Sequence, residues 1–225
     1  MRLIDADTAQ NGLTITADEQ TAGKGQRGRV WKAEAGQSLL MSIITAPNRS
    51  LDEQFLFSAA VAVAIAEVLQ AEYENWDVRI KWPNDIIIND KKAGGILIEN
   101  VIKGNVWAYA VIGFGLNVLQ SEMPMDIPNA GSLQMLSGKP FDIKKIRQLL
   151  RARILERVYE KLPATQMMNL YNDYLFRKDK WQGFEEGQKE WEAMVNGANA
   201  KGELEVTEKD GRVSTYTHGV TNWKW

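Results

Sequence analysis

The chain has 225 residues, enough for one sizeable core or a core with a small appendage. Hydrophobic residues make up 44% and charged residues 25%, with a formal net charge of −2, so a general binder of DNA or RNA, which carries a strongly basic face, is not expected. Cysteine is absent, which excludes disulfides and thiolate metal sites and suits a cytoplasmic location, and the one histidine, His218, cannot build a His-rich metal centre.

The first residues, MRLIDADTAQ, do not read as a signal peptide, because no apolar stretch follows a basic one. Residues 13–18 (LTITAD) alternate and predict a strand. A glycine-rich basic loop follows at 23–31, then SLLMSIITAP (38–47), which reads as a buried strand ended by proline. Ser50 and Glu53 form a capping box for a helix from about 51 to 73. Its apolar residues surround most of its circumference, which predicts a central core helix, and AAVAVAIA (59–66) is too short to span a membrane.

From Asp77 the pattern becomes β. VRIKWP predicts a strand, IIINDKKAGGILIENV a hairpin and VWAYAVIGFGLNVL another strand, read together as a three-stranded meander with turns at Asn89-Asp90 and Lys103-Gly104-Asn105. After a proline-containing loop, Asp142 caps a helix over 143–162, and a second helix covers 165–176. From Trp181 short β-like pieces are separated by glycine, with Asp210-Gly211 a hairpin signal, which predicts a small β-barrel over 179–225 beside a body at 1–178. The fold class expected is α+β, with grouped helices and a largely antiparallel sheet. His218, in YTHGV, is an incidental strand or turn residue unless a Ser-His-Asp triad uses it.

Three segments carry chemistry. In GKGQRGRVW, Gly23, Gly25 and Gly28 let backbone N–H groups turn toward an anion, Lys24, Arg27 and Arg29 supply cations, and Trp31 offers a face for stacking. The spacing matches neither a P-loop nor a dinucleotide fingerprint, and a solvated basic loop is the plainer alternative. In KWPNDIIINDKKAGG, Pro83 must end a strand, which places Asn84 and Asp85 at a sheet end. Lys92, seven residues on, reaches that end only if the hairpin packs back toward it. Gly94-Gly95 removes side chains where another group comes close. In VIGFGLNV, Gly113 and Gly115 interrupt a core strand, which marks either ligand approach or a β-bulge, and Asn117 lies on the face of Gly115.

These segments, in this order, resemble the biotin–protein ligases (biotin–acetyl-CoA-carboxylase ligases), and VNGANAKGELEV with HGVTNW resembles that family's SH3-like C-terminal barrel. The resemblance implies a class II synthetase-like catalytic domain that makes biotinyl-5′-AMP from biotin and ATP, with Mg²⁺, and transfers biotin to a lysine of a biotin carboxyl carrier protein. It implies Lys92 at the biotin carboxylate and α-phosphate, and Lys81 in the phosphate region. Asp85 would be an essential aspartate that either holds Mg²⁺ or positions the target amine. Asn84 would fix the turn and nucleotide, Gln20 would bond the biotin ring region, and Lys24, Arg27 and Arg29 would wrap the adenylate. Trp31 would pack near adenine or the biotin tail, Gly95 and Gly115 would make room for ligand, and Asn117 would approach adenine. The loop would order on ligand binding.

Two departures qualify the match. The family's first loop arginine is Lys24 here, and a second basic position is Gln26. The Ser-Thr-Asn segment that lines the ureido pocket has no counterpart before Gln20, Asp7-Thr8-Ala9 being a poor substitute. A lipoate or octanoate ligase, or a non-catalytic binding module, is therefore an alternative. No helix-turn-helix precedes the body, so no DNA-binding role is expected, and the protein would be a monomer or homodimer.

Overall fold

Most of the alternating segments of the body assemble into one antiparallel sheet. The computed structural model describes residues 4, 8–28, 30–219 and 222–224, and of Arg27 and Asn222 only the backbone. The strands of the body are β1 (Thr14–Ala17), β2 (Gln20–Lys24), β3 (Val30–Ala33), β4 (Ser38–Thr45), β5 (Val78–Lys81), β6 (Asp85–Ile88), β7 (Lys91–Lys103) and β8 (Val106–Asn117). Among the described residues, the main sheet has six strands in the order β1-β4-β8-β7-β6-β5, and β2 and β3 form a separate hairpin.

Two expectations change here. The basic glycine loop is not open coil: Lys24 pairs with Val30 and Gly23 with Trp31, around a 3₁₀ turn at Gln26–Gly28. The meander has four strands rather than three. Pro83 does end β5, but the chain reverses over Trp82-Pro83-Asn84, where the Trp82–Pro83 peptide is cis, and Lys81 pairs with Asp85.

One sheet face is covered by helices. Alternation sends Leu39, Met41, Ile43, Ile80, Ile86, Ile96, Phe114 and Leu116 to the main core cluster, which also contains helix α1 (Gln54–Glu72). The capping box forms, Ser50 N–H donating to the Glu53 carboxylate at 2.9 Å. Phe57 and Ala59 to Ala66 are all buried, so α1 packs on every side, as its sequence predicts. With its leading 3₁₀ turn the helix spans Leu51–Glu72, long and apolar enough by composition to cross a membrane. The eight-residue apolar run at 59–66 is buried within it, as the sequence reading of a core helix expects.

A short helix absent from the sequence reading, α2 (Leu133–Ser137), starts at Ser132, whose Oγ accepts from Met135 N–H at 3.0 Å. Asp142 caps α3 (Ile143–Glu160) as expected, accepting from the N–H groups of Lys144 and Lys145. The last helix, α4 (Ala164–Asp173), ends three residues earlier than predicted. Tyr174 O accepts from Ile80 N–H at 2.8 Å and Phe176 N–H donates to Ile80 O at 2.9 Å, so this segment leaves the helix to cover the open edge of β5.

The tail forms β9 (Trp181–Glu186), β10 (Lys189–Ala198), β11 (Leu204–Glu208), β12 (Val213–Tyr216) and β13 (Asn222–Lys224), ordered β12-β11-β10-β9-β13 among the described residues. The Asp210-Gly211 turn closes with Gly211 at φ 85°. This sheet shares the body's core: Phe184, Val195, Leu204 and Trp223 belong to the cluster that holds Phe57 and Ile65. Asn172 on α4 ties it down, donating to Ala198 O at 3.0 Å and accepting from Ala198 N–H at 2.8 Å. Asn172→Ala is expected to cost about 1–3 kcal/mol, read as a lower urea midpoint at an unchanged slope.

Candidate functional site

The site is laid out along one row of cross-strand partners. Lys81 pairs with Asp85, Asp85 with Gly95, Gly95 with Gly115 and Gly115 with Leu40. Residues opposite one another share a face, and this row lies on the face opposite α1. Its middle positions are the two glycines, so the sheet has a bare floor with a carboxylate and an ammonium stem at one end.

Trp31 lies on that floor. A Cβ on Gly115 would stand 2.6 Å from Trp31 Cε2, and one on Gly95 would stand 3.3 Å from Cζ3. The hairpin needs glycine to bring the indole there, because a Cβ on Gly23 would fall 2.0 Å from the Trp31 carbonyl oxygen. Among the described residues the buried indole N–H has no hydrogen-bond partner, which costs about 1–3 kcal/mol.

Lys92 reaches the row through a β-bulge. Ile86 pairs with Gly94, but Ile87 pairs with Lys92, so Ala93 is the extra residue. Regular register would place Ala93 opposite Ile87 and turn Lys92 toward the helices. With the bulge, Lys92 shares the face of Ile87 and Asp85, and its Nζ stands 2.6 Å from Asp85 Oδ1. The pair is largely enclosed, the Asp85 side chain being 15% exposed and that of Lys92 30%. Asp85 Oδ1 would also be 3.7 Å from a Cβ on Gly95, so the carboxylate borders the floor. The Tyr171 hydroxyl lies behind, donating to Pro83 O at 3.1 Å; burial, and secondarily the Asp85 charge, push its pKa up.

The turn before Asp85 is braced. Asn84 Nδ2 donates to Ile96 O at 2.5 Å, and Ile96 N–H donates to Asn84 O at 3.0 Å. Lys81 sits with its Nζ 5.7 Å from the centroid of the Trp223 ring. Asn117 is buried and donates to Gly131 O at 3.1 Å, which ties β8 to the proline-containing loop.

That loop was not read as part of the site. Lys92 N–H donates to Asn129 O at 2.7 Å, Gly131 N–H donates to Lys92 O at 3.0 Å, and Lys91 Nζ donates to Pro128 O at 2.9 Å. The loop thus docks on the backbone of Lys92. The Pro-Asn-Ala-Gly cluster at 128–131 was the available signal for a fixed turn there.

Not every predicted residue joins this cluster. Gln20 and Lys24 lie exposed on β2, and neither hydrogen-bonds or ion-pairs with Lys92 or Asp85. Arg29 and Asp7 lie outside the described residues, as does the side chain of Arg27. His218 packs edge-on against Trp82, ring centroids 5.4 Å apart. Among the described residues, no group of three or more His, Cys, Asp or Glu is placed to hold a metal ion. Asp85 alone, engaged by Lys92, does not make a Mg²⁺ cage.

The profile of the biotin/lipoate A/B protein ligase family matches residues 2–117, just over half of the chain. The bifunctional ligase/repressor BirA of Bacillus subtilis is 36% identical over 141 residues, 60% of this chain and 42% of the relative. The biotin–protein ligase of Homo sapiens is 32% identical over 234 residues, 96% of this chain and 31% of the relative. The chain therefore spans less than half the length of these relatives. Among solved structures, the biotin protein ligase from Aquifex aeolicus in complex with biotin and ATP superposes with a TM-score of 0.80 at 23% identity, covering 96% of this chain and 90% of that one. The fold is accordingly that of the biotin protein ligases.

Proposed function

The chain belongs to the biotin/lipoate A/B protein ligase family, and on that premise we propose that it is an ATP-dependent biotin–protein ligase. A biotin carboxylate oxygen attacks the α-phosphorus of ATP, the bond to the β-phosphate breaks, and pyrophosphate leaves. The resulting biotinyl-5′-AMP then meets a lysine of a biotin carboxyl carrier domain. The amine attacks the acyl carbon, AMP departs with the bonding pair, and the amine loses a proton.

The observation that carries this reading is Lys92, turned by the Ala93 bulge to the open end of a glycine floor and held 2.6 Å from Asp85. The first step brings two anionic groups together, so a fixed cation between them stabilises the charge that develops. Lys92 fills that role, and Asp85 aims it before the substrates arrive. Lys81 lies on the same row and serves the phosphates. Gly95 and Gly115 bear the flat ligand, and Asn84 holds the turn. Gln20, Lys24, Arg27, Arg29 and Trp31 close over the ligand from the β2–β3 side, and Asn117 sets the adenine side by anchoring the loop at Gly131. Residues 1–178 form the catalytic domain in this reading, and 179–225 a second, SH3-like domain.

The test is exchange of labelled pyrophosphate into ATP, with biotin and lipoate in parallel. Biotin-dependent exchange is expected. Exchange with lipoate alone would move the chain to the other branch of its family, and exchange with neither would remove the ligase reading. A ligand on the floor must also displace the Trp31 indole or slide beneath it. Biotin is therefore expected to change tryptophan fluorescence in the wild type, and the change should be lost in Trp31→Phe.

A further inference from the structure

The C-terminal sheet meets the site at two neighbouring residues. The Trp82 indole N–H donates to Gly202 O at 3.1 Å, and His218 packs on the Trp82 ring. Next to it, the Lys81 ammonium lies over the face of Trp223, from the last strand. That distance, 5.7 Å to the ring centroid, falls within the range of cation–π attraction.

Trp223 is itself firmly held. It pairs with Phe184 in the ladder, and its ring meets Phe184 at 5.7 Å and Phe176 at 6.2 Å between centroids. Its indole N–H is 3.4 Å from Gln182 Oε1, a buried side chain that also accepts from Arg177 at 2.9 Å. The ring therefore has a fixed plane, and Lys81 does not set it.

We propose that Trp223 is a positioning residue for Lys81, so that the C-terminal sheet aims the phosphate-side cation of the ligase reaction. This inference rests on the ligase reading above. A lysine is a point charge on a flexible four-carbon stem, and it loses effect when it samples many directions. On the row it shares with Asp85, the ammonium has a nearby carboxylate already engaged by Lys92. The aromatic face draws it sideways, toward β13, which keeps the two cations apart and leaves Lys81 on the side of the incoming phosphates. Trp223 acts only through Lys81.

The experiment uses the full chain as wild type, Trp223→Leu, Trp223→Phe, Lys81→Met and the double variant Lys81→Met/Trp223→Leu. Biotin-dependent pyrophosphate exchange is measured at varied ATP and varied biotin. Trp223→Leu should raise the KM for ATP by about fivefold and leave the KM for biotin within about twofold of wild type. Trp223→Phe, which keeps a ring, should recover most of that loss. In the Lys81→Met background, Trp223→Leu should add nothing further. Losses that multiply, or that fall equally on biotin, would overturn the proposal in favour of a packing role. A second readout is independent of activity: ring currents from Trp223 should shift the Lys81 ε-methylene NMR signals upfield, and Trp223→Leu should return them. Unshifted signals in the wild type would overturn the placement itself. A wild type without biotin-dependent exchange would count against the ligase reading, with the NMR result still deciding the placement.

Discussion

Lys92→Ala is expected to lower biotin-dependent pyrophosphate exchange by about 10²–10³-fold, the usual loss when a fixed donor to developing charge is removed. The chain should still fold, with stability reduced by about 1–3 kcal/mol, because the Asp85 carboxylate, only 15% exposed, is left without its cation. Lys92→Arg keeps the charge but replaces a compact ammonium with a planar fork on a longer stem, so an intermediate rate is expected. Steady-state exchange with a urea titration alongside separates the two effects. Exchange within about threefold of wild type for Lys92→Ala would remove Lys92 from the chemistry.

Gly115→Val should cost the ligand its floor while leaving the sheet paired. Gly115 does not adopt a positive φ, so the backbone tolerates a side chain. The obstacle is on one face only, where a Cβ would stand 2.6 Å from Trp31 Cε2. The indole must leave, and the new branch occupies its place. Overpacking a fitted site costs about 1–3 kcal/mol, so a rise in the biotin dissociation constant of about 10–100-fold is expected, measured by calorimetry. Unchanged affinity would mean that the ligand rests elsewhere.

Much of this site was legible along the chain, for local reasons. Pro83 cannot continue a ladder, so the position of Asn84 and Asp85 at a sheet end followed from covalent geometry. Gly115 in an otherwise apolar strand announced a close approach, and Asp142 and the Ser50–Glu53 pair announced helix starts. What stayed hidden depended on partners far away in sequence. The approach of Lys92 to Asp85 was conditional on how the hairpin packed, and a bulge at Ala93, a pairing property, met the condition. The indole of Trp31 on the two glycines joins segments that share no local pattern. The early end of α4 reflects competition from the edge of β5 for the backbone of Tyr174–Phe176, and local periodicity carries no trace of that competitor. Trp223, which meets Lys81, lies more than a hundred residues beyond the three segments that suggested a site.

The bulge at Ala93 also links two kinds of failure that are usually separate. Were the bulge lost by a slip of register, with Ala93 paired opposite Ile87, Lys92 would point at the helix-packed face. A bare ammonium there meets Ile86, Ile88 and their neighbours, all fully buried, and its desolvation would cost several kcal/mol. An inactive hairpin of this kind is therefore also an unstable one. Proteases and chaperones that act on poorly folded chains would remove it, so in the cell, copies with a wrongly facing lysine would be cleared for their instability before their inactivity mattered.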